Sequence, residues 1–256
     1  MINLQTIIGF GCQLHETRLK FEKEVSQVIP DYRRLSELEA IVFDCEWYGD
    51  ASKNLSLYGM YRNLFKLQHQ KTFQSIRFDI TVIPPLCLGQ ELVKTAGHYH
   101  SIAATGLHYP EIYQVAHGTA HYLLQKPKHE WTQLEDVVLI NAVAGDVVVI
   151  PPGYGHITIN PGDDPLVMAN LVARSTVSDY EPIKQLHGGA YFETKDHQFL
   201  KNEHYEYVPE LRRVKPPNTF ESLKKGMSIY TSYIHDPSAL NCLETPNKQI
   251  FEGILS

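Results

Sequence analysis

The sequence predicts an all-β core of antiparallel strands, preceded by helices and followed by a mixed C-terminal extension. Three observations carry that expectation. From Phe73 the chain breaks into short runs rich in Val, Ile, Thr and Tyr; Gly, Pro or Asn/Asp groups separate the runs; and no long helix-forming stretch lies between them. Strands at this spacing close into a sandwich or barrel rather than a parallel sheet, because parallel neighbours need long crossovers.

The elements follow in order. Apolar and charged positions alternate at near-helical spacing from Glu16 to Ile41, with a break at Pro30 and Asp31, and predict two short helices. Phe78 to Ile83, Glu111 to Val115, Ala120 to Leu124, Val137 to Ile140 and Val147 to Ile150 read as strands, in a core of roughly residues 70 to 175. Asp179 caps a helix over Tyr180 to His187, which Gly188 and Gly189 end. In the tail, Asn218 with Glu221 forms a capping box before a helix ending at Gly226. Met227 to Ile234 reads as a strand, and Asp236-Pro237 opens another short helix. The expected division is an arm over 1–69, a barrel over 70–190, and an extension over 191–256 that wraps the barrel or a neighbouring subunit.

Composition narrows the function. The 256 residues carry 23 Lys+Arg against 29 Asp+Glu, a formal charge of −6, and 43% are hydrophobic. Such a chain buries a sizeable core, and without a basic block it has no electrostatic footprint for nucleic acid or an anionic membrane. Cys12, Cys45, Cys87 and Cys242 are far apart with no CxxC pair, so reduced thiols are expected. The first residues lack a basic leader and no apolar run reaches bilayer length, which makes the cytoplasm the expected address.

The chemistry-bearing segment is Gly97-His98-Tyr99-His100, since histidines at i and i+2 of a strand share a face and can share a metal. Glu111 and Gly118 follow, and Gly145, Pro151, Gly153, His156 and Asn160 come later in fixed spacing. These two spacings resemble the two motifs of the cupin superfamily, which implies a double-stranded β-helix, the jelly-roll barrel. One departure stands out. Ten residues separate His100 from Glu111 where three or four are usual, so Ser101 to Pro110 forms a longer loop. Three imidazoles and one carboxylate would make a half-open octahedral site with two positions free for substrate oxygens or water. Its N/O donors suit Fe(II), Mn(II), Ni(II) or Zn(II) without choosing among them, and one divalent ion, Fe(II) in the first instance, is the expected cofactor.

Within that superfamily, Thr81-Val82-Ile83-Pro84-Pro85, Lys94 to His100, Tyr109-Pro110-Glu111-Ile112-Tyr113 and Pro151-Pro152-Gly153-Tyr154-Gly155-His156 resemble the cupin-type glucose-6-phosphate isomerases over about residues 70 to 190. The tail beyond Tyr191 looks like the longer branch of that family. The resemblance implies that His98, His100, Glu111 and His156 hold the metal, with Glu111 and His156 at the catalytic centre. It also implies that Thr81, Thr95 and the Gly97 backbone bind the sugar phosphate, and that Tyr109, Tyr113 and Tyr180 line the sugar pocket. Archaeal members carry a further phosphate tyrosine where this chain has Val172 and Arg174, and Arg174 is expected to supply the charge instead. Lys94 and Lys184 are expected on the surface.

The implied reaction interconverts glucose 6-phosphate and fructose 6-phosphate through a cis-enediol, with Glu111 as base or by a metal-assisted hydride shift. Mannose 6-phosphate, the C2 epimer, shares that enediol. Two other classes use the same four ligands: an Fe(II) cupin dioxygenase, and a non-enzymatic sugar-phosphate-binding cupin. A homodimer is expected from edge pairing of sheets.

Overall fold

The computed structural model describes residues 1–256 and contains two facing antiparallel sheets. The larger has six strands in the order Val147–Ile150, Glu111–His117, Leu166–Ala173, Ile76–Ile83, Ser56–Tyr61 and Asp31–Arg34. The smaller runs Gly155–Ile159, Thr119–Pro127, Leu134–Val143 and Arg212–Val214, the last pairing in parallel. Isolated bridges of Lys94 to Ile159 and His98 to His156 extend the smaller sheet past its edge strand. The expected core strands are all present; Val147–Ile150 has the expected bounds and the other four are longer by two to six residues.

The two faces of the larger sheet bury different things. Side chains alternate along a strand, so Ile112, Ala169, Leu171, Phe78, Ile80 and Val82 point outward into one apolar cluster. Tyr113, Val115, Met168 and Met60 point inward, toward the smaller sheet and a second cluster. With both faces covered, Leu166–Ala173 is buried at every position and reads as a continuous apolar run interrupted only by Asn170.

The outer face is covered by the two ends of the chain. A three-stranded sheet from Ile2–Asn3, Cys12–His15 and Arg18–Phe21 brings Phe10 there, and the C-terminal helix Ile229–His235 brings Tyr230 and Tyr233. Phe10 and Tyr230 meet edge to face at 4.9 Å, Phe73 stacks on Tyr230 at 5.0 Å, and the Tyr230 hydroxyl accepts from the Lys66 amide at 2.8 Å.

Three local expectations are corrected. Glu16 to Ile41 is not two helices: Glu16 takes a positive φ of 55° in a tight turn between paired strands, and the later part is the Asp31–Arg34 strand with two 3-10 turns. The helices of this region lie at Gln5–Ile8 and Cys45–Asp50 instead, the latter capped by the Asp44 carboxylate. Asn218 to Gly226 is a hairpin of Thr219–Phe220 and Leu223–Lys224, with Glu221 at φ 51° in its turn. Met227 to Ile234 is helical. Ser228 caps it by accepting from the Thr231 amide, and burial of Ile229, Tyr230, Ser232 and Tyr233 follows the helical rather than the strand period. The short helix after Asp236 is present, as is one at Glu181–Gln185, with Asp179 accepting from the Glu181 amide. No helix is long and apolar enough to cross a membrane.

Candidate active site

The site opens between the sheets, in a cavity with about 700 Å³ of empty space including its mouth. Its floor is the inward face of the larger sheet, whose registers set three rows of side chains. One row runs Glu111, Val172, Arg77; the next Tyr113, Asn170, Asp79; the third Val115, Met168, Thr81, Met60. The opposite wall is the segment from Thr95 to His100, together with His156 and Tyr180.

Four of these residues converge. One donor atom from each of His98, His100, Glu111 and His156 lies within 4.8 Å of every other. His98 Nε2 and His100 Nε2 are 3.1 Å apart, and Glu111 Oε2 is 3.3 Å from the Nε2 atoms of both His100 and His156. The chain is shaped to bring them together. Gly97 sits at φ 71°, and a Cβ there would strike Ile157 at 2.4 Å, so only glycine turns the strand to present His98 beside His156. Gly118, at φ 80°, makes the corner after Glu111–His117, where a Cβ would press on the Pro165 carbonyl at 3.0 Å.

Neighbouring groups hold the donors in place. His100 Nδ1 donates to the Tyr109 carbonyl at 2.9 Å, which leaves the Nε2 lone pair facing the other ligands. His108 Nδ1 bonds the His100 carbonyl. The unexpectedly long loop Ser101 to Pro110 therefore buttresses the first histidine pair and does not disrupt it. Asn170 Nδ2 donates to Glu111 Oε1 at 2.7 Å, fixing that carboxylate with Oε2 toward the imidazoles.

The electrostatics suit a cation. Burial, then the neighbouring His156 and His100, hold His98 well below its ordinary value; burial also lowers His156, although Glu111 opposes it. Burial alone would raise Glu111, but the polar and charge interactions of the neighbouring His100 and His156 outweigh it and hold the carboxyl well below the usual range. Neutral imidazoles beside an ionised carboxylate are the forms that bind metal. Glu111 Oε2 is moreover buried and without a hydrogen-bond donor, an acceptor directed at the point where the imidazole nitrogens meet. The donor set fits a divalent ion.

Thr81, Thr95, Gly97, Tyr113 and Tyr180 also line this cavity. The Tyr113 hydroxyl is 3.2 Å from His156 Nε2, and the Tyr180 ring lies 5.2 Å from the His98 ring. Thr95 Oγ1 accepts from the Thr158 amide at 2.9 Å, which leaves its proton and one lone pair for a ligand.

Two expected residues are elsewhere. Tyr109 turns its ring toward the outer cluster and its hydroxyl accepts from Ser175 Oγ; only its carbonyl serves the site. Arg174 is outside the cavity, its guanidinium donating to the Gln74 and Phe73 carbonyls and to Asn63 Oδ1. Lys94, expected on the surface, is 3% exposed, where it pairs with buried Glu91, donates to the Ile41 carbonyl and lies over the Phe192 ring. Sequence reasoning missed Asn170, Asp79, Arg77 and Arg62. Asn170, a lone polar residue in an apolar strand, was the available signal.

With the fold and the four donors in place, comparison with known proteins is decisive at one point. The family model for glucose-6-phosphate isomerase matches residues 32–210, well over half of the chain. The chain belongs to the glucose-6-phosphate isomerase family. Its jelly-roll core makes it one of the cupin type. A glucose-6-phosphate isomerase of Thermococcus onnurineus is 30% identical over 155 residues, 60% of this chain and 74% of that protein. A putative glucose-6-phosphate isomerase of Rhizobium meliloti is 31% identical over 111 residues, 43% of this chain and 47% of that protein. Among solved structures, oxalate decarboxylase from Bacillus subtilis aligns over 48% of this chain and 28% of its own, at 21% identity and a TM-score of 0.34.

Proposed function

We propose that this chain interconverts glucose 6-phosphate and fructose 6-phosphate, with His98, His100, Glu111 and His156 holding a divalent metal, Fe(II) in the first instance. The observation that carries the reading is the convergence of those four donors at one end of a cavity lined by hydrogen-bonding side chains, in a chain of this family. Such an ion, when bound, polarises the two sugar oxygens beside C1 and C2 and so acidifies the hydrogens to be moved.

The chain's own residues supply the rest. Isomerisation removes a proton from C2 of the aldose and returns one to C1, which calls for one base facing both carbons. Glu111 fits that role. Its Oε1 is held by Asn170, and its ionised form is the one favoured in the folded state. Tyr113 is a complementary donor: burial, and then Glu111, raise its phenol well above the ordinary value, so it stays protonated and offers O–H to a developing enediol oxygen. Thr81, Gly97 and Tyr180 border the space the sugar would fill, with the Tyr180 ring beside that of His98. A homodimer is part of this reading, supported by the Asp31–Arg34 strand, which ends the six-stranded sheet and pairs on one side only.

The experiment is turnover of fructose 6-phosphate by the metal-loaded chain in deuterated water. Product carrying deuterium at C2 is expected from a Glu111 proton transfer that exchanges with solvent. Oxygen uptake without sugar isomerisation would overturn the reading.

A further inference from the structure

The far side of the smaller sheet, away from the cavity, carries a buried hydrogen-bonded group directly behind two of the metal donors. We propose that Tyr99, Gln125 and Tyr205 are positioning residues that hold His98 and His156 in place for the metal, and so make the C-terminal extension part of the metal centre. That role rests on the proposed metal site and not on the identity of the substrate.

Strand register puts the group there. His98 and His156 face each other across an isolated antiparallel bridge and exchange both backbone hydrogen bonds, at 3.3 and 3.1 Å. The next pair along is Tyr99 with Gly155, of the closer, non-hydrogen-bonded kind, and Gly155 in turn pairs with Gln125. Side chains alternate, so while His98, His100 and His156 line the cavity, Tyr99 and Gln125 point to the opposite side. Tyr99 is buried and lies so close over Gly155 that a Cβ there would strike its ring at 2.6 Å. Its hydroxyl accepts from Gln125 Nε2 at 2.8 Å. Gln125 Nε2 also donates to the Tyr205 hydroxyl at 2.9 Å, Gln125 Oε1 accepts from the Ala190 amide at 2.8 Å, and the Tyr205 hydroxyl donates to the Gly188 carbonyl at 3.0 Å.

These bonds compensate for a weak backbone ladder. Lys94 to His100 meets the smaller sheet through isolated bridges at Lys94 and His98, and its one regular strand, Tyr99–His100, is two residues long. Nor are all four metal donors oriented through their own side chains. His100 and Glu111 are, by the Tyr109 carbonyl and by Asn170. His156 Nδ1 is buried with no partner, and the one hydrogen-bond contact of the His98 ring is to His100 Nε2, itself a metal donor. Those two rings stand where their backbones place them, and Tyr99, wedged on Gly155 and tied at its far end, sets the spacing of the two backbones. Phenylalanine would fill the same space. The hydroxyl adds a tether, and because both amide protons and the amide oxygen of Gln125 are engaged in a buried setting, the tether has a single arrangement. Tyr205 and the Gly188 and Ala190 backbone complete it from the segment that follows the barrel strands.

The test uses the full chain and Co(II) alone, read by chelator competition and by the visible bands of the bound ion, which report its coordination geometry. Tyr99→Phe keeps the ring over Gly155 and removes only the tether. It should weaken Co(II) binding by about 10 to 100-fold and change the bands, while the melting temperature of the metal-free chain falls only modestly. Gln125→Met should do the same, and Tyr205→Phe, which leaves the bond from Gln125 to Tyr99, should weaken binding by less than about tenfold. Tyr230→Ala, a packing change on the outer face of the other sheet, is the control: its melting temperature should fall with Co(II) affinity and bands unchanged. Wild-type affinity and bands in Tyr99→Phe, folded by circular dichroism, would overturn the positioning role and leave the isomerase reading intact. Tight Co(II) binding by the wild type, weakened as expected in Tyr99→Phe but without turnover of fructose 6-phosphate, would overturn the isomerase reading and leave the positioning role standing. A wild-type chain that binds no Co(II) would overturn both.

Discussion

The inner and outer faces of the six-stranded sheet are made by the same backbone and the same β-rich sequence, yet they do opposite work. Outward positions of Ile76–Ile83 are Ile76, Phe78, Ile80 and Val82, sealed under Phe10, Phe73 and Tyr230. Its inward positions are Arg77, Asp79 and Thr81, which face a cavity. Alternation at period two lets one strand be core on one side and chemistry on the other. Polar groups survive there because each has a partner or faces the space a ligand would occupy.

The sharpest way to break this contrast is Glu111→Gln on the inner face. It should lower turnover by about 10² to 10⁴-fold, the range for losing a general base, while circular dichroism and melting temperature stay close to wild type. Tyr230→Ala on the outer face should do the reverse. Removing a fully buried ring that stacks on Phe73 and ties down Lys66 should cost about 3 to 5 kcal/mol in denaturant unfolding, with kcat per folded molecule unchanged.

A smaller effect separates positioning from packing within the inner face. Asn170→Ala deletes the bond to Glu111 Oε1 and should weaken metal binding by about 10 to 100-fold in a chelator competition, with only a modest change in melting temperature. An apolar wall residue would show no change in metal affinity.

The smallest expected effect is a pH dependence. His98 and His156 are both held below the ordinary histidine value of 6.5, chiefly by burial. The folded state therefore binds fewer protons than the unfolded one, and the stability this contributes is present above 6.5 and lost as pH falls toward the depressed values. Each pH unit in that window should cost the metal-free protein at most about 1.4 kcal/mol per such histidine, read as a falling melting temperature. His98→Gln should flatten that slope.

The same contrast explains what could be read from the chain alone. The metal donors were legible because His98, His100 and His156 sit at spacings dictated by two tight corners, and because Gly97 and Gly118 mark those corners. The polar residues of the cavity floor were not. Arg77 and Asp79 belong to the site only through strand register, which pairs Asp79 with Asn170 and Arg77 with Val172 across ninety residues of sequence, and Arg62 lies just past the Ser56–Tyr61 strand. Arg174 looked better placed by sequence proximity to the second motif, but it stands just past the strand end, where the Phe73 and Gln74 carbonyls claim it. Near the termini the local pattern misled for a related reason. Leu19, Val25 and the Met227 to Ile234 segment dock onto the outer face while Leu35, Leu38 and Ile41 pack into the inner cluster, and packing at both places overrides propensity.

The central claim is that the inner face presents a metal-dependent isomerase site. The most direct measurement is the conversion of fructose 6-phosphate to glucose 6-phosphate in a coupled assay, on the same preparation before chelation, after exhaustive metal removal, and after return of Fe(II). The structure predicts activity, its loss, and its restoration in that order, with the fold intact throughout. Full activity in the metal-free protein would contradict it.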